Sequence, residues 1–171
     1  VLQMQGNRDR IVSDRMNFPS DLYIMQGAIE LLGGQHELVT IDAKDSVHPD
    51  LEKLYELIDE RTALVCCTTL SYRSGHRHDV AAIAEAAHAS GAIVLADSYQ
   101  ACGAVELDVG SLGADVVTGG TVKYLLGTAG LGFMWVTPEV REALVPTQTG
   151  WFADEDIFAM SIADYSPHAS A

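Results

Sequence analysis

Apolar runs of strand length alternate with amphipathic stretches of helix length along most of this 171-residue chain. The runs that predict strands are residues 10–12, 37–41, 63–68, 92–96, 116–118 and 132–136. Two stretches, 63–67 and 93–96, are almost continuously hydrophobic, which is typical of strands covered on both faces. This alternation predicts βαβ units around a mainly parallel central sheet, and therefore an α/β fold.

Four helices are predicted between or after these strands. Two of them start after an aspartate that can cap a helix, Asp50 and Asp79. Their apolar stripes are Leu51, Leu54, Leu57 and Ile58 in the first and Val80, Ile83, Ala84 and Ala87 in the second. A third helix is predicted over about residues 21–32, ended by a Gly-Gly pair, and a fourth starts near Pro138.

Composition narrows the classes of partner. The formal net charge is −14, and the ten Lys and Arg residues are scattered, which disfavours binding to nucleic acid. No apolar run approaches the length of a membrane span, so we expect no membrane partner. The three cysteines are odd in number and lack CxxC spacing, which argues against disulfides and a zinc site. We expect buried thiols in a reducing compartment, the cytoplasm.

Two further features carry no ligand prediction. His76 and His78 lie in a predicted loop without a Cys or Asp at metal spacing, so we expect solvated histidines and no metal. The GTAGLG run differs in order from the GxGxxG motif, which disfavours a dinucleotide-binding domain.

The candidate chemistry begins with two polar residues in apolar surroundings. Asp97 ends the run 92–96, and Lys123 lies in the Gly-rich stretch 118–132. A carboxylate at the end of a buried strand can keep a pyridine nitrogen protonated, and a lysine can hold an aldehyde as a Schiff base. A pyridoxal phosphate enzyme needs both groups. A strand-end aspartate and a solvated loop lysine are the alternative interpretation, and the pair alone leaves it open.

Five ordered segments extend this picture. They are NFPSDLYIMQG (17–27), TTLSYRSGHRHD (68–79), ADSYQACGAVELDV (96–109), GGTVKYLLGTAGLGFMWV (119–136) and TGWF (149–152). Together they resemble the class V aminotransferases, the fold-type-I pyridoxal phosphate enzymes that include kynureninases and cysteine desulfurases. The resemblance implies a three-layer α/β/α large domain, here residues 1–152. Residues 153–171 are expected to be an irregular segment leading to a missing carboxyl-terminal part, and the chain to be incomplete at both ends.

The resemblance also implies roles for individual residues. Lys123 corresponds to the Schiff-base lysine, which also moves the proton of the substrate Cα, and desolvation among apolar neighbours would favour its neutral form. Asp97 corresponds to the partner of the pyridinium nitrogen, and Gln100 to the residue that hydrogen-bonds the phenolic oxygen of pyridoxal phosphate. Phe18 corresponds to the aromatic residue that lies against the cofactor ring, and Asp21 belongs to the same motif.

Four of the candidate cofactor-site residues also fit a purely structural role. Asp21 fits either the cofactor site or the N-cap of the following helix. Thr68 and Thr121 are hydroxyl donors to the ring or phosphate, or ordinary strand-end threonines. Trp151 resembles a tryptophan that reaches the phosphate region across a dimer interface, or is an exposed Trp held by packing.

The match departs from its relatives at two positions. Gln100 stands where kynureninases carry His, and Val122 precedes the lysine where kynureninases carry Tyr and cysteine desulfurases His. We therefore predict a pyridoxal phosphate-dependent enzyme that acts on an amino acid, in a homodimeric full-length protein. A kynureninase-like hydrolase and a cysteine desulfurase or other lyase are alternative activities, and a catalytically incomplete cofactor-binding fragment is the non-enzyme alternative.

Overall fold

The computed structural model describes residues 1–145, 147, 150–160 and 165–166. The chain divides into two compact units, Val1–Trp135 and Val136–Ala171. Within the described residues, no helix is both long and apolar enough to cross a membrane.

Every predicted strand and helix is present, with small changes at the ends. The strands are β1 (Arg10–Asp14), β2 (Glu37–Ile41), β3 (Thr62–Thr68), β4 (Ile93–Asp97), β5 (Val116–Gly120) and β6 (Gly132–Val136). The α-helices are α1 (Pro19–Leu31), α2 (Leu51–Leu57), α3 (Val80–Ala89) and α4 (Pro138–Ala143). Short 3-10 helices cover Leu2–Met4 and Trp151–Ala153.

The strands form one mixed, mostly parallel sheet in the order β2-β1-β3-β4-β5-β6. The pairs β1/β2, β1/β3, β3/β4 and β4/β5 are all parallel, which confirms the predicted sheet. The order reverses at β1, because β2 lies on one side of it and the later strands lie on the other. Since such crossovers are right-handed, this reversal puts α1 on the opposite face from α2 and α3. The result is the predicted three-layer α/β/α arrangement.

The main hydrophobic core lies between the sheet and the α2/α3 layer. Alternate residues of four adjacent strands contribute to it, namely Val12, Val65, Val94 and Val117. The predicted stripe of α3 is buried there, as are Leu54 and Ile58 beside it. Because side chains alternate along a strand, residues an odd number of positions away face the α1 side of the sheet, and Asp97, three residues after Val94, is one of them.

The helix ends follow the predicted signals in part. Gly33 and Gly34 have φ values of +86° and +72°, and their N–H groups donate to carbonyls in the last turn of α1. Asp79 caps α3, since its carboxylate accepts the Ala82 N–H at 3.1 Å. Asp50 occupies the N-cap position of α2 without accepting a capping hydrogen bond, and it pairs with Lys53 instead.

The second compact unit contains α4 and the 3-10 helix Trp151–Ala153. Thr137 Oγ1 accepts the Val140 N–H and caps α4, whose first residue is the predicted Pro138. The Tyr165 hydroxyl donates to the carbonyl of Ala153, at the end of the 3-10 helix. Of the predicted irregular segment, residues 161–164 and 167–171 lie outside the described residues.

The two aspartates at N-cap positions offer a matched test of capping. We expect Asp79→Ala to lower the free energy of unfolding by roughly 1 kcal/mol, because an N–H in the first turn of α3 loses its acceptor. Asp50→Ala removes an ion pair with the exposed side chain of Lys53 and should cost less. Urea denaturation measures both losses, and equal losses would contradict the assignment of Asp79 as the functioning cap.

Candidate functional site

The candidate site begins with a row of polar residues across three strands. The parallel register pairs Thr68 of β3 with Asp97 of β4, and Asp97 with Thr118 of β5. All three side chains therefore project from the same sheet face, near the carboxyl ends of their strands. The register thus brings the ends of these three strands side by side.

Asp97 is the buried acid of this row. Its side chain is 9% exposed, and its Oδ1 accepts the Tyr99 N–H at 2.9 Å. Burial raises the pKa of Asp97 above its usual value, and the Tyr99 hydrogen bond opposes the rise. Within the described residues no cation forms an ion pair with this carboxylate, so it is suited to a positively charged ligand group.

The turn between β1 and α1 brings two more predicted residues to the site. Asn17 is 1% exposed, and its Nδ2 donates to Ser13 Oγ at 2.9 Å and to the Cys66 carbonyl at 3.2 Å. These bonds tie the turn to β3. Phe18 and Asp21 follow directly, at the cap position and in the first turn of α1.

Asp21 is a second carboxylate near Asp97. Its Oδ2 is buried and makes no hydrogen bond to the described residues. Burial, and then the Asp97 charge, raise the pKa of Asp21 to about 6. The N-cap interpretation is wrong, because α1 begins at Pro19, two residues earlier, with Phe18 at the cap position. Proline fits the first helical position, and this moves the helix start.

A cleft of about 340 Å³ joins these groups. It is lined by Phe18, Ser20, Asp21, Asp97, Tyr99, Gln100 and Lys123. The cleft thus combines an aromatic wall, two carboxylates and an amine. Its place outside the carboxyl ends of the strands is the one that ligands occupy in open α/β sheets.

Lys123 lies in the exposed segment that follows β5. The expected desolvation of this amine is wrong for the described chain, because Lys123 and its neighbours 122–131 are exposed to solvent. Thr121 Oγ1 donates to the Thr128 carbonyl at 2.8 Å, which holds the segment as a loop.

The two threonine candidates stand beside the cleft and do not line it. Thr68 Oγ1 donates to the Leu70 carbonyl at 3.1 Å and to the Asp97 carbonyl at 3.3 Å. Both Thr68 and Thr121 therefore use their hydroxyls within the protein, and a cofactor contact by either stays a prediction.

Trp151 belongs to the second compact unit. It is 51% exposed, and its ring packs edge-to-face on Phe152, with ring centroids 4.5 Å apart. Its predicted contact with a phosphate stays a prediction, and Thr149 of the same motif lies outside the described residues.

The histidine pair differs from the expectation. His78 is 4% exposed, and neither of its ring nitrogens has a hydrogen-bond partner among the described residues. Burial, and then the neighbouring His76, lower the pKa of His78 to about 4. The prediction of a solvated His78 is wrong, because the chain returns from the loop into α3 at this point and buries the ring. No cluster of metal-ligating side chains occurs in the part of the chain described.

Two cleft residues were missed by the sequence reasoning, Ser20 and Tyr99. Tyr99 lies two residues after Asp97, and its ring packs so closely on Gly120 of β5 that a Cβ there would overlap it. The sequence signal that could have identified Tyr99 is its position between Asp97 and Gln100, two candidate cofactor-binding residues.

Asp14 is a further buried acid at a strand end. It is 3% exposed, and its Oδ1 accepts the Met16 N–H at 2.8 Å.

Comparisons with known proteins identify relatives of this chain. The model of the family described as Aminotransferase class-V matches residues 1–166. The kynureninase of Pseudomonas fluorescens is 36% identical over 165 residues, covering 94% of this chain and 38% of that protein. The kynureninase of Burkholderia mallei strain SAVP1 is 37% identical over 154 residues, covering 90% of this chain and 35% of that protein. The chain thus spans less than half the length of these curated relatives.

Solved structures support the same fold. The apo cysteine desulfurase of Thermococcus onnurineus NA1 superposes with a TM-score of 0.80 at 27% identity, covering 97% of this chain and 42% of that chain. The cysteine desulfurase CsdA of Escherichia coli gives a TM-score of 0.84 at 21% identity, over 99% of this chain and 41% of that chain.

Burial of His78 should make stability depend on pH. Its pKa is about 4 in the folded chain against 6.5 unfolded, so the unfolded state binds the extra proton first as pH falls. Stability from this group is full above pH 6.5 and declines toward pH 4, by up to about 3 kcal/mol. We expect His78→Leu to flatten the fall in unfolding free energy over this window, measured by urea denaturation. An unchanged slope would contradict the burial of an uncharged His78.

Proposed function

Because this chain belongs to the class V aminotransferase family, we propose that it forms the cofactor-binding part of a pyridoxal phosphate-dependent enzyme acting on an amino acid. The observation that carries the proposal is the cleft that gathers Phe18, Asp21, Asp97, Gln100 and Lys123. These residues come from three separate places in the sequence, and five of the eight predicted cofactor-binding residues line one cleft.

The donor set fits the cofactor. Asp97 is a buried carboxylate without a cationic partner among the described residues, and the Oδ2 of Asp21 is buried and unpaired there. Unpaired buried acids cost free energy, and a protonated ring nitrogen would compensate them. The Phe18 ring supplies an aromatic wall, and Lys123 supplies an amine on the same cleft. Pyridoxal phosphate, when bound, supplies an electron sink for bond cleavage at the substrate Cα.

Each residue then has a defined task. Asp97 keeps the proton on the ring nitrogen, and the Tyr99 N–H orients its carboxylate. Lys123 Nζ would hold the cofactor covalently, and the same amine would accept or return the proton at the substrate Cα. Gln100 donates a hydrogen bond from its side-chain amide to the phenolic oxygen. Phe18 covers one face of the ring and excludes water from it.

The relatives suggest an order of candidate reaction branches. Identities of 36% and 37% to kynureninases favour a kynureninase-like hydrolase as the first candidate. A cysteine desulfurase-like lyase is the second candidate, since the desulfurase from Thermococcus onnurineus superposes over 97% of the chain. Val122 differs from the residue that the resemblance assigns to either branch, and Gln100 differs from the His of kynureninases.

The setting of the enzyme is part of the same proposal. The segment that carries Lys123 is exposed, and a second subunit in a homodimer would cover it and supply the desolvation that the amine needs. Trp151 and the hydroxyls of Thr68 and Thr121 are the proposed contacts to the cofactor phosphate or ring. Three free buried cysteines agree with a cytoplasmic location.

Covalent trapping tests the central claim. Pyridoxal phosphate followed by borohydride should label Lys123, one of only three lysines in the chain, and peptide mass spectrometry locates the label. Lys123→Ala should abolish the labelling, and Lys44→Ala, at an exposed lysine outside the cleft, should leave it unchanged. Labelling spread equally over the three lysines would contradict the proposal.

Asp97→Asn should separate the effect of this carboxylate on stability from its effect on turnover. An amide removes a desolvated charge whose raised pKa costs folding free energy at neutral pH, so the cofactor-free protein should become slightly more stable. Because an amide cannot keep the ring nitrogen protonated, turnover should fall by roughly 100-fold or more. Thermal unfolding and steady-state assays measure the two effects. A large loss of stability would show that Asp97 serves the fold instead.

A further inference from the structure

Phe18, which forms the aromatic wall of the cleft, has a restricted backbone and an exposed side chain. Pro19 restricts Phe18 to extended backbone, observed as φ −62° and ψ 134°. Asn17 anchors the same turn to β3 through its two amide hydrogen bonds. The Phe18 ring itself remains 41% exposed, so backbone geometry alone leaves its rotation about the side-chain bonds unrestricted.

A tyrosine from another loop limits that rotation. The ring of Tyr72 meets the ring of Phe18 edge-to-face, with centroids 5.2 Å apart and planes at 89°. This is a favourable arrangement for two aromatic rings, since the positive edge of one faces the negative face of the other. Tyr72 does not line the cleft, so its effect reaches the cleft through Phe18.

The turn that carries Tyr72 is internally hydrogen-bonded. Ser71 is 3% exposed, its N–H donates to the His76 carbonyl at 2.9 Å, and its own carbonyl accepts the Gly75 N–H at 2.9 Å. Gly75 has a φ of +71°, which allows the chain to reverse there. Tyr72 therefore stands on a constrained support.

The same loop is joined to the strand end that carries Asp97. Thr69 N–H donates to the Asp97 carbonyl at 2.8 Å, and Thr69 Oγ1 lies 2.6 Å from Ser98 Oγ. The loop from β3 to α3 thus fixes the distance between the acid of the cleft and the support for its aromatic wall.

We propose that Tyr72 is a positioning residue, which holds the Phe18 ring at the angle needed to stack on the cofactor ring. The expected consequence of this positioning is tighter cofactor binding, and that consequence rests on the proposed function. The ring contact itself is independent of any ligand. The Tyr72 hydroxyl is not required, because the contact with Phe18 is between the two rings.

Cofactor titration of variants tests the consequence. The dissociation constant for pyridoxal phosphate should rise about 2- to 10-fold in Tyr72→Leu, the range that an edge-to-face pair supplies. Tyr72→Phe keeps the ring and should bind within twofold of the wild type. Tyr55→Leu is a matched control, because Tyr55 is 37% exposed on α2, on the other side of the sheet.

A double-mutant cycle shows whether Tyr72 acts through Phe18. Tyr72→Leu should weaken binding in the wild-type background and have no further effect in a Phe18→Leu background. Equal effects in both backgrounds would overturn the inference, as would wild-type affinity in Tyr72→Leu or a loss in Tyr72→Phe equal to that in Tyr72→Leu.

A measurement without cofactor separates this inference from the proposed function. NMR of the protein with labelled Phe and Tyr should show a nuclear Overhauser effect between the rings of Phe18 and Tyr72. Absence of that effect overturns the positioning role, whatever the protein binds. If the effect is present and the wild type takes up no pyridoxal phosphate, the proposed function fails while the ring contact stands.

Discussion

A shift of one residue in the pairing of β4 with its neighbours would turn the Asp97 side chain to the opposite face of the sheet. The register that prevents this is held by Val94, Ala96 and their partners on β3 and β5, which are buried against α2 and α3. Burial of one face therefore fixes what the other face presents. Every polar group of the cleft depends on this constraint, because the loops that bring the other residues start from the same strand ends.

The cleft concentrates negative charge where the protein offers little compensation. Asp97 is almost completely buried, and the unpaired oxygen of Asp21 is also buried. Burial raises the pKa of both carboxyls, the Asp97 charge adds to the rise at Asp21, and the two groups lie on different elements. Such an arrangement lowers the stability of the empty protein and favours a cationic group in the cleft. Burial of these carboxyls without a cation lowers the stability of the empty protein, and binding of a cationic group would recover that free energy.

Much of the fold was predictable because its signals are local and repeat along the chain. The continuous apolar runs 63–67 and 93–96 identify central strands, and the capping carboxylate of Asp79 and the Gly-Gly pair after α1 mark helix ends. The helix start at α1 was displaced because Pro19 competes with Asp21 for the same turn. Asp50 failed as a cap because Lys53 binds its carboxylate. In both cases the outcome depends on neighbouring residues in the same turn, and the helix propensity of single residues does not predict it.

The sequence by itself determined the family, the parallel sheet and five of the seven residues that line the cleft, since each depends on residue type and spacing. The tertiary structure decided how those residues meet. It placed Asp21 near enough to Asp97 to raise its pKa, set the ring of Tyr72 against Phe18, buried His78 and left Lys123 exposed. These outcomes depend on contacts between loops distant in the chain, and on which segments cover which faces. Neither is encoded in the local periodicity of the sequence.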